Sequence, residues 1–273
     1  MAFQLQILHA SDFEAGIPAL TDAVNFSTVI NALRNDYANT LILSSGDNYI
    51  PGPFFSASSD PALRTVLGRE GVGRADIAIL NEIGFQVSAF GNHEFDLGPN
   101  TVASLLGVDS AYLGTLFPYL STNLNFSGDA SLSRFVVADG QAPRPNSIAK
   151  STVLTINGES VGVIGATTPT LASISSPGQG IIVTPQPFAG TPTSDQLDAL
   201  AQVIQTEVNN LTNAGVNKIV LLAHMQQLFI ERELAKRLSN VDIVIAGGSH
   251  TLLADENDRL RSGDTAGGVY PLI

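Results

Sequence analysis

The sequence predicts an α/β fold in which helices lie outside β-sheets. Short, continuously apolar segments, which are typical of buried strands, alternate with longer segments whose apolar residues recur at helical spacing. This alternation is characteristic of α/β proteins, because the helices that connect the strands cover the faces of the sheets. No internal repeat, low-complexity tract or linker interrupts the chain, so we expect a single domain over residues 1–273.

Three strands and three helices are predicted in the amino-terminal half of the chain. The first helix is indicated by Phe26, Ile30 and Leu33, which recur every three or four positions and so share one face. Gly71 and Gly73 indicate a break in the second helix. The predicted strands are 3–9, 40–45 and 86–89, and the predicted helices are 22–36, 61–82 and 97–107.

A hairpin and two further strand–helix units are predicted in the carboxyl-terminal half. Asn157 and Gly158 occur between two apolar segments within residues 151–165, as expected for a two-residue hairpin turn. Residues 127–149 and 167–192 are rich in small and turn-forming residues and are predicted to be a surface excursion and a loop. The other elements are a strand-like segment over 117–124, helices over 195–213 and 229–238, and strands over 218–223 and 241–246.

The composition argues against several classes of function. The net charge of −12 disfavours a nucleic-acid polymer as partner, because phosphate backbones are bound by basic surfaces. The chain has no cysteine, so it can form neither a disulfide nor a thiolate metal site. No apolar run approaches the roughly 18 residues that span a bilayer, and the first residues show no signal peptide.

A cluster of polar residues follows the predicted strand at 86–89. Gly91 is expected to permit a sharp exit from the strand, and an amide, an imidazole and two carboxylates then occur between Asn92 and Asp96. Asn92 and His93 are adjacent, so one can bind an ion while the other faces a substrate. Asp96 can accept the second ring N–H of His93 and fix its tautomer. A polar turn capped by Asn and Asp is the purely structural alternative.

Polar residues also follow the other predicted strands. Ligands gather at the carboxyl ends of strands in α/β sheets, so we expect these residues to meet in one site. Their oxygen and nitrogen atoms suit a hard or borderline divalent ion such as Mn²⁺, Zn²⁺, Fe or Ca²⁺, although any one of the histidines alone also fits a structural role. The residues are Asp12, Glu14, Asp47, His224 and His250.

These motifs resemble those of the calcineurin-like metallophosphoesterases, and in particular the amino-terminal catalytic domain of the bacterial 5′-nucleotidase family. The block from Gly91 to Gly98 is highly specific for the family, and the other blocks are specific in combination. The resemblance covers essentially the whole chain and implies a four-layer αββα sandwich of two mixed β-sheets flanked by helices. The matching blocks, in the family's order, are 8–14, 45–48, 91–98, 223–224 and 247–251.

The resemblance implies two divalent metal ions. Asp47 would bridge the two ions. The other ligands would be Asp12, Glu14 and His250 for the first ion and Asn92 and His224 for the second.

The resemblance also implies roles for three polar residues of the 91–98 block. His93 and Asn92 would contact the phosphoryl oxygens, and His93 would protonate the leaving group while Asp96 orients it. Two ions can clamp a phosphate and lower the pKa of a bound water from 15.7 towards roughly 7, which supplies a hydroxide for in-line attack.

Two positions depart from the commonest pattern of the family. Glu14 stands where the family usually has histidine, and this carboxylate favours harder ions such as Mn²⁺, Mg²⁺ or Ca²⁺. Gly248 stands where the second ion usually receives a histidine. We therefore expect the second ion to be bound weakly, to keep more water, or to gain another ligand, for which Asp255 and Glu256 are candidates.

The implied activity is hydrolysis of nucleotides or related small phosphate monoesters. The alternatives are a phosphodiesterase, including one for 2′,3′-cyclic nucleotides, and a catalytically silent module that binds metal or nucleotide. The nucleoside-binding domain that follows in the family is expected to lie outside this chain. The resemblance implies an extracellular or periplasmic location, and the sequence makes no prediction of oligomeric state.

Overall fold

The computed structural model of the protein describes residues 3–14, 16–186, 188 and 190–273. It contains two β-sheets packed face to face, with helices against both outer faces. The four-layer αββα sandwich expected for this sequence is therefore confirmed.

The first sheet has five strands that are all parallel, so the expectation of two mixed sheets is wrong for this sheet. Along its second strand, Leu41 and Leu43 face the other sheet while Ile42 faces the helices. Both faces of the strand are buried, which explains its continuous apolar run. In spatial order the strands are β1 (Gln6–His9), β2 (Thr40–Ser44), β3 (Val87–Ala89), β4 (Tyr119–Leu120) and β6 (Ile148–Ala149).

The second sheet is mixed, because three of its strands are parallel and the fourth returns through a hairpin. The hairpin turn at Asn157 and Gly158 has positive φ at both residues, as the sequence predicts. In spatial order the strands are β11 (Ile243–Gly247), β10 (Ile219–His224), β8 (Glu159–Thr167) and β7 (Ser151–Ile156). A separate antiparallel pair consists of β5 (Leu124–Asn125) and β9 (Ile182–Val183).

The helices form the two outer layers. One layer covers the first sheet with α1 (Ala19–Leu33), α2 (Pro53–Ala57), α4 (Arg74–Ile83) and α5 (Pro99–Leu106). The other layer covers the second sheet with α7 (Ser194–Asn213) and α8 (Leu228–Arg237). Two short helices, α3 (Arg64–Leu67) and α6 (Leu171–Ile174), complete the set among the described residues.

The packing of the two sheets brings together the carboxyl ends of β1 and β2 from one sheet and of β10 and β11 from the other. In the first sheet, His9 pairs in register with Leu43. In the second sheet, His224 pairs with Gly247. The backbone oxygen of Ser45, just past β2, accepts a hydrogen bond from the His224 ring, so the strand ends of the two sheets meet at one edge.

Some boundaries differ from the sequence-based predictions. The predicted helix over 61–82 is broken between α3 and α4, as Gly71 and Gly73 indicate. Ile148 and Ala149, predicted to belong to the surface excursion, instead form the edge strand β6, because two apolar residues are too few to show a period. The predicted loop over 167–192 contains α6 and β9, and its residues Pro187 and Ala189 lie outside the described residues.

Within the described ranges, no helix has the length and hydropathy needed to cross a membrane.

Asp76, in the first turn of α4, is a buried carboxylate that should make stability depend on pH. It is 4% exposed, neither carboxylate oxygen has a hydrogen-bond partner among the described residues, and burial raises its pKa to about 7. The unfolded carboxyl ionises near pH 4, so stability should fall as the pH rises from about 4 to about 7. A shift of about three units corresponds to roughly 4 kcal/mol.

Asp76→Asn is therefore expected to raise the free energy of unfolding by up to about 4 kcal/mol at pH 8 and to change it little at about pH 5. Urea denaturation of both proteins at the two pH values measures this difference. Asp22→Asn, which changes an exposed carboxylate in the first turn of α1, is the matched control. If Asp76→Asn changed the free energy of unfolding equally at both pH values, the pKa of the Asp76 carboxyl would not be raised by burial.

Candidate metal centre and active site

Three candidate ligands lie together at the ends of β1, β2 and β10. The ligand atoms of Asp12, Asp47 and His224 are all within 4.8 Å of one another. Asp47 and His224 are fully buried, and the Asp12 side chain is 13% exposed. Two carboxylates at this separation repel each other, so the arrangement favours a cation between them.

The ring of His224 is held so that one nitrogen faces the other candidate ligands. Nδ1 lies 2.8 Å from the backbone oxygen of Ser45, which can only accept, so Nδ1 carries a proton. Nε2 lies 3.0 Å from Oδ2 of Asp47 and 3.2 Å from Oδ1 of Asn92. Burial would lower the pKa of His224, but the hydrogen bond to Asp47 raises it to about 9. A proton and a metal ion would therefore compete for Nε2.

Asn92 is the amide of this group, and it is buried at 4% exposure between the ends of β3 and β10. Its Oδ1 faces Nε2 of His224. An amide oxygen beside an imidazole nitrogen can bind a divalent ion without adding charge.

Glu14 and His250 form the exposed side of the group. Nε2 of His250 lies 3.3 Å from Oε1 of Glu14 and 3.8 Å from Oδ1 of Asp12. The side chains of Glu14 and His250 are 39% and 55% exposed. The candidate ligands of the first ion are therefore spread from the buried Asp47 to the solvent-exposed His250.

The ring of His93 is oriented by a chain of hydrogen bonds. Its Nδ1 lies 2.6 Å from Oδ2 of Asp96, and Oδ1 of Asp96 accepts a 2.8 Å hydrogen bond from the hydroxyl of Ser175. Its Nε2 lies 3.9 Å from Glu14, on the side of the candidate ligands. Burial would lower the pKa of His93, but the hydrogen bond to Asp96, with the charges of Asp47 and Glu14, raises it. A raised pKa keeps a proton available on this ring.

Glu94 holds the loops that carry the candidate ligands. Its carboxylate accepts three backbone N–H groups, from Asp47 at 3.0 Å, Asn48 at 2.8 Å and Gly91 at 2.8 Å. Burial, together with the nearby Asp47 carboxylate, raises the pKa of Glu94 to about 8. Gly91 is required here for space, since a Cβ atom on it would lie 2.2 Å from Oδ1 of Asp47.

Backbone strain is concentrated at the same strand ends. Among the described residues, seven non-glycine residues have positive φ, a region that L-residues seldom adopt. Four of the seven lie at this site, and such strain often accompanies function. They are Asp12 (55°), Asp47 (53°), Gln226 (68°) and His250 (51°).

Several known proteins are similar to this chain. The trifunctional nucleotide phosphoesterase protein YfkN of Bacillus subtilis (strain 168) is 28% identical over 264 residues, which are 92% of this chain and 16% of that protein. A 5′-nucleotidase of Diplobatis ommata is 28% identical over 284 residues, covering 99% of this chain and 41% of that protein. The crystal structure of the 5′-nucleotidase precursor from Thermus thermophilus has a TM-score of 0.72 and 26% identity, over 99% of this chain and 46% of its own.

The chain is similar in sequence to 5′-nucleotidases over nearly its whole length. It has the fold of the Thermus thermophilus 5′-nucleotidase precursor and of the calcineurin-like phosphoesterase YfkN from Bacillus subtilis, whose crystal structure matches with a TM-score of 0.59 at 18% identity. No profile of a known protein family matches the chain. The chain spans less than half the length of the full YfkN protein and of both 5′-nucleotidases.

Gly248 stands where the resembling family usually has histidine, and the structure shows what lies beside that position. A Cβ atom on Gly248 would lie 2.7 Å from Nε2 of Gln226 and 2.7 Å from Nε2 of His224. The hydrogen bonds of the Asp255 carboxylate are to Asn257, in its own loop. Within the described residues, neither Asp255 nor Glu256 makes a hydrogen bond or ion pair to the candidate ligands.

Sequence reasoning assigned no role to several residues that shape this site. Glu94 and Gln226 are the main ones, and Ser45 and Ser175 orient two of the histidines. Gln226 lies two positions after His224, so its place at a strand end was a signal that could have identified it. Glu94 carries no such signal, because its three backbone donors come from two separate loops.

Proposed function

We propose that this chain is a metal-dependent phosphomonoesterase that hydrolyses nucleotides or related small phosphate esters. The proposal is carried by the cluster of Asp12, Asp47 and His224, whose ligand atoms lie within 4.8 Å of one another. The names of its relatives, 5′-nucleotidase and nucleotide phosphoesterase, support the substrate class. The net charge of −12 also supports a role for cations, because an acidic protein needs them to bind a phosphate ester.

The donor set fits two divalent ions. Oxygen and imidazole donors without thiolates suit Mn²⁺, Mg²⁺, Fe or Zn²⁺. The carboxylate of Glu14 is a hard ligand, so the first site can also bind the hard cation Ca²⁺. Asp47 has one oxygen near His224 and would bridge the ions. We assign Asp12, Glu14 and His250 to the first ion and Asn92 and His224 to the second.

When bound, divalent ions at such a site neutralise the charge of the phosphate and activate water for attack. His93 and Asn92 bind the phosphoryl oxygens and stabilise the charge that develops on them. His93 then donates its Nε2 proton to the leaving alcohol. Asp96 fixes the ring with Nε2 towards the substrate and keeps it protonated, as the 2.6 Å contact to Nδ1 indicates.

We propose that residues 1–273 form one catalytic domain. The resemblance to 5′-nucleotidases also favours action outside the cytoplasm, in the periplasm or the extracellular space.

Removal of divalent metal is the direct test of this function. Treatment with EDTA is expected to reduce hydrolysis of adenosine 5′-monophosphate and p-nitrophenyl phosphate at least ~10²-fold, because the positive charge at the phosphate is lost. Adding Mn²⁺ back should restore the rate, and a comparison of Mn²⁺, Mg²⁺, Ca²⁺ and Zn²⁺ then ranks the ions. Release of inorganic phosphate measures the rate.

An Asp47→Asn variant purified in the same way controls for contaminating phosphatases. A parallel assay with the diester bis(p-nitrophenyl) phosphate distinguishes a phosphomonoesterase from a phosphodiesterase. Faster hydrolysis of this diester than of p-nitrophenyl phosphate would favour a phosphodiesterase. Activity that survives EDTA would contradict the proposal. Tight Mn²⁺ binding without turnover of any ester would instead show a silent binding module.

A further inference from the structure

The end of β11 lacks the side chain that resemblance to the family leads one to expect there. Gly248 has no side chain to offer, and its φ of 83° disfavours any residue with a Cβ atom. Its backbone N–H instead donates to the Asp12 carboxylate, at 3.0 Å from Oδ1 and 3.2 Å from Oδ2. Gly248 thus helps to hold a candidate ligand of the first ion and contributes no side chain towards the second.

The side chain of Gln226, from the end of β10, lies in the space beside Gly248. Its amide nitrogen lies 3.0 Å from Nε2 of His224 and donates a hydrogen bond to Oδ1 of Asn92. A Cβ atom on Gly248 would approach the same amide nitrogen to 2.7 Å. The carboxamide of Gln226 therefore contacts Asn92 and His224, the two candidate ligands that serve the second ion alone.

The backbone of Gln226 supports a role for its side chain. Its φ of 68° is in the left-handed region, which costs free energy for a residue with a long side chain. Gln227, the next residue, is exposed and has an extended backbone. Of these two neighbouring residues, only Gln226, whose amide lies between His224 and Asn92, has the left-handed conformation.

We propose that the carboxamide oxygen of Gln226 is a ligand of the second metal ion and replaces the side chain that Gly248 lacks. This inference rests on the proposed function. A carboxamide has a donor end and an acceptor end that exchange by a half-turn about one bond, so the group that contacts His224 and Asn92 can present either end. With an ion bound, the oxygen faces the ion together with Nε2 of His224 and Oδ1 of Asn92. Unlike histidine, this ligand does not titrate, and like a neutral imidazole it adds no charge.

Counting bound Mn²⁺ in the whole chain tests this assignment without relying on activity. Gln226→Met keeps the length of the side chain and removes its oxygen. We expect the variant to retain the first ion and to bind the second at least about 10- to 100-fold more weakly. Isothermal titration calorimetry with Mn²⁺, checked by electron paramagnetic resonance of free Mn²⁺, measures stoichiometry and affinity.

Two further variants sharpen the result. Gln226→Glu keeps an oxygen at the same position, so it should restore binding of the second ion. Gln227→Met makes the same change one residue later and should leave both affinities unchanged. The melting temperature of each metal-free variant verifies its folding.

The two proposals can fail separately. If the parent protein binds two ions and hydrolyses phosphate esters, but Gln226→Met binds both ions as the parent does, the assignment of Gln226 is wrong while the function stands. Tighter binding of the second ion by Gln226→Met would equally overturn it, because the amide would then obstruct the ion. If the parent binds no Mn²⁺ and hydrolyses no ester, the proposed function itself fails.

Discussion

His93→Ala is expected to lower kcat for nucleoside monophosphates by ~10²- to 10⁴-fold, the range typical of a lost general acid. Metal binding should be unchanged, because His93 is a proton donor and its backbone N–H, which the variant keeps, holds Asp47 at 2.7 Å. The side chain is 25% exposed, so the fold should tolerate its removal. Steady-state kinetics and Mn²⁺ calorimetry on the same preparation measure the two effects.

Leaving groups of different basicity distinguish proton donation from a simple contact to the phosphate. A nitrophenolate leaves without protonation, so p-nitrophenyl phosphate should be affected less than adenosine 5′-monophosphate, whose leaving alkoxide needs the proton. Equal losses on both substrates would contradict the role as a general acid. Loss of a bound ion in His93→Ala would show instead that the imidazole is a metal ligand.

Glu94→Ala is expected to have the largest effect on stability. The change leaves three buried N–H groups, those of Asp47, Asn48 and Gly91, without an acceptor. At about 1–3 kcal/mol for each unsatisfied group, the cost approaches the total stability of many domains, about 5–15 kcal/mol. We therefore expect Glu94→Ala to be largely unfolded or to aggregate on expression.

Glu94→Gln offers a measurable version of the same test. Its single oxygen can replace only one carboxylate oxygen, and its amide N–H₂ would face a backbone donor. We therefore expect a loss of about 1–3 kcal/mol in urea denaturation at about pH 9, where a carboxyl with a pKa of about 8 is ionised. Glu82→Gln, at an exposed position of α4, should change stability little. If Glu94→Gln were as stable as the parent, the carboxylate would not be the acceptor that holds these loops.

Much of the architecture is predictable from the sequence because both sheets are covered on both faces. Residues such as Leu41 and Leu43 pack between the sheets while Ile42 packs under the helices, which forces continuous apolar segments. The long amphipathic helix α7 is equally clear, since Leu200, Ile204 and Val208 lie on its buried face. The strand β6 was missed, because its place depends on pairing with β4 rather than on any local pattern.

Part of the candidate site is also predictable from the sequence. Polar residues directly after buried strands could be found in the sequence, because parallel strands place their carboxyl ends at one edge. The spacing of His93 and Asp96 likewise indicated their contact, which is local and spans three residues.

The sequence by itself determined that helices lie outside the sheets, which strand ends carry the polar residues, and that His93 pairs with Asp96, since each depends on local periodicity or short spacing. The four-layer order of the sandwich was implied by the resemblance to a known family. Only the tertiary structure decided that Glu94 accepts N–H groups from two loops and that Gln226 lies beside Gly248. The physical reason is that these contacts join residues far apart in the chain, and the space left by a missing side chain is defined only when the strands are packed.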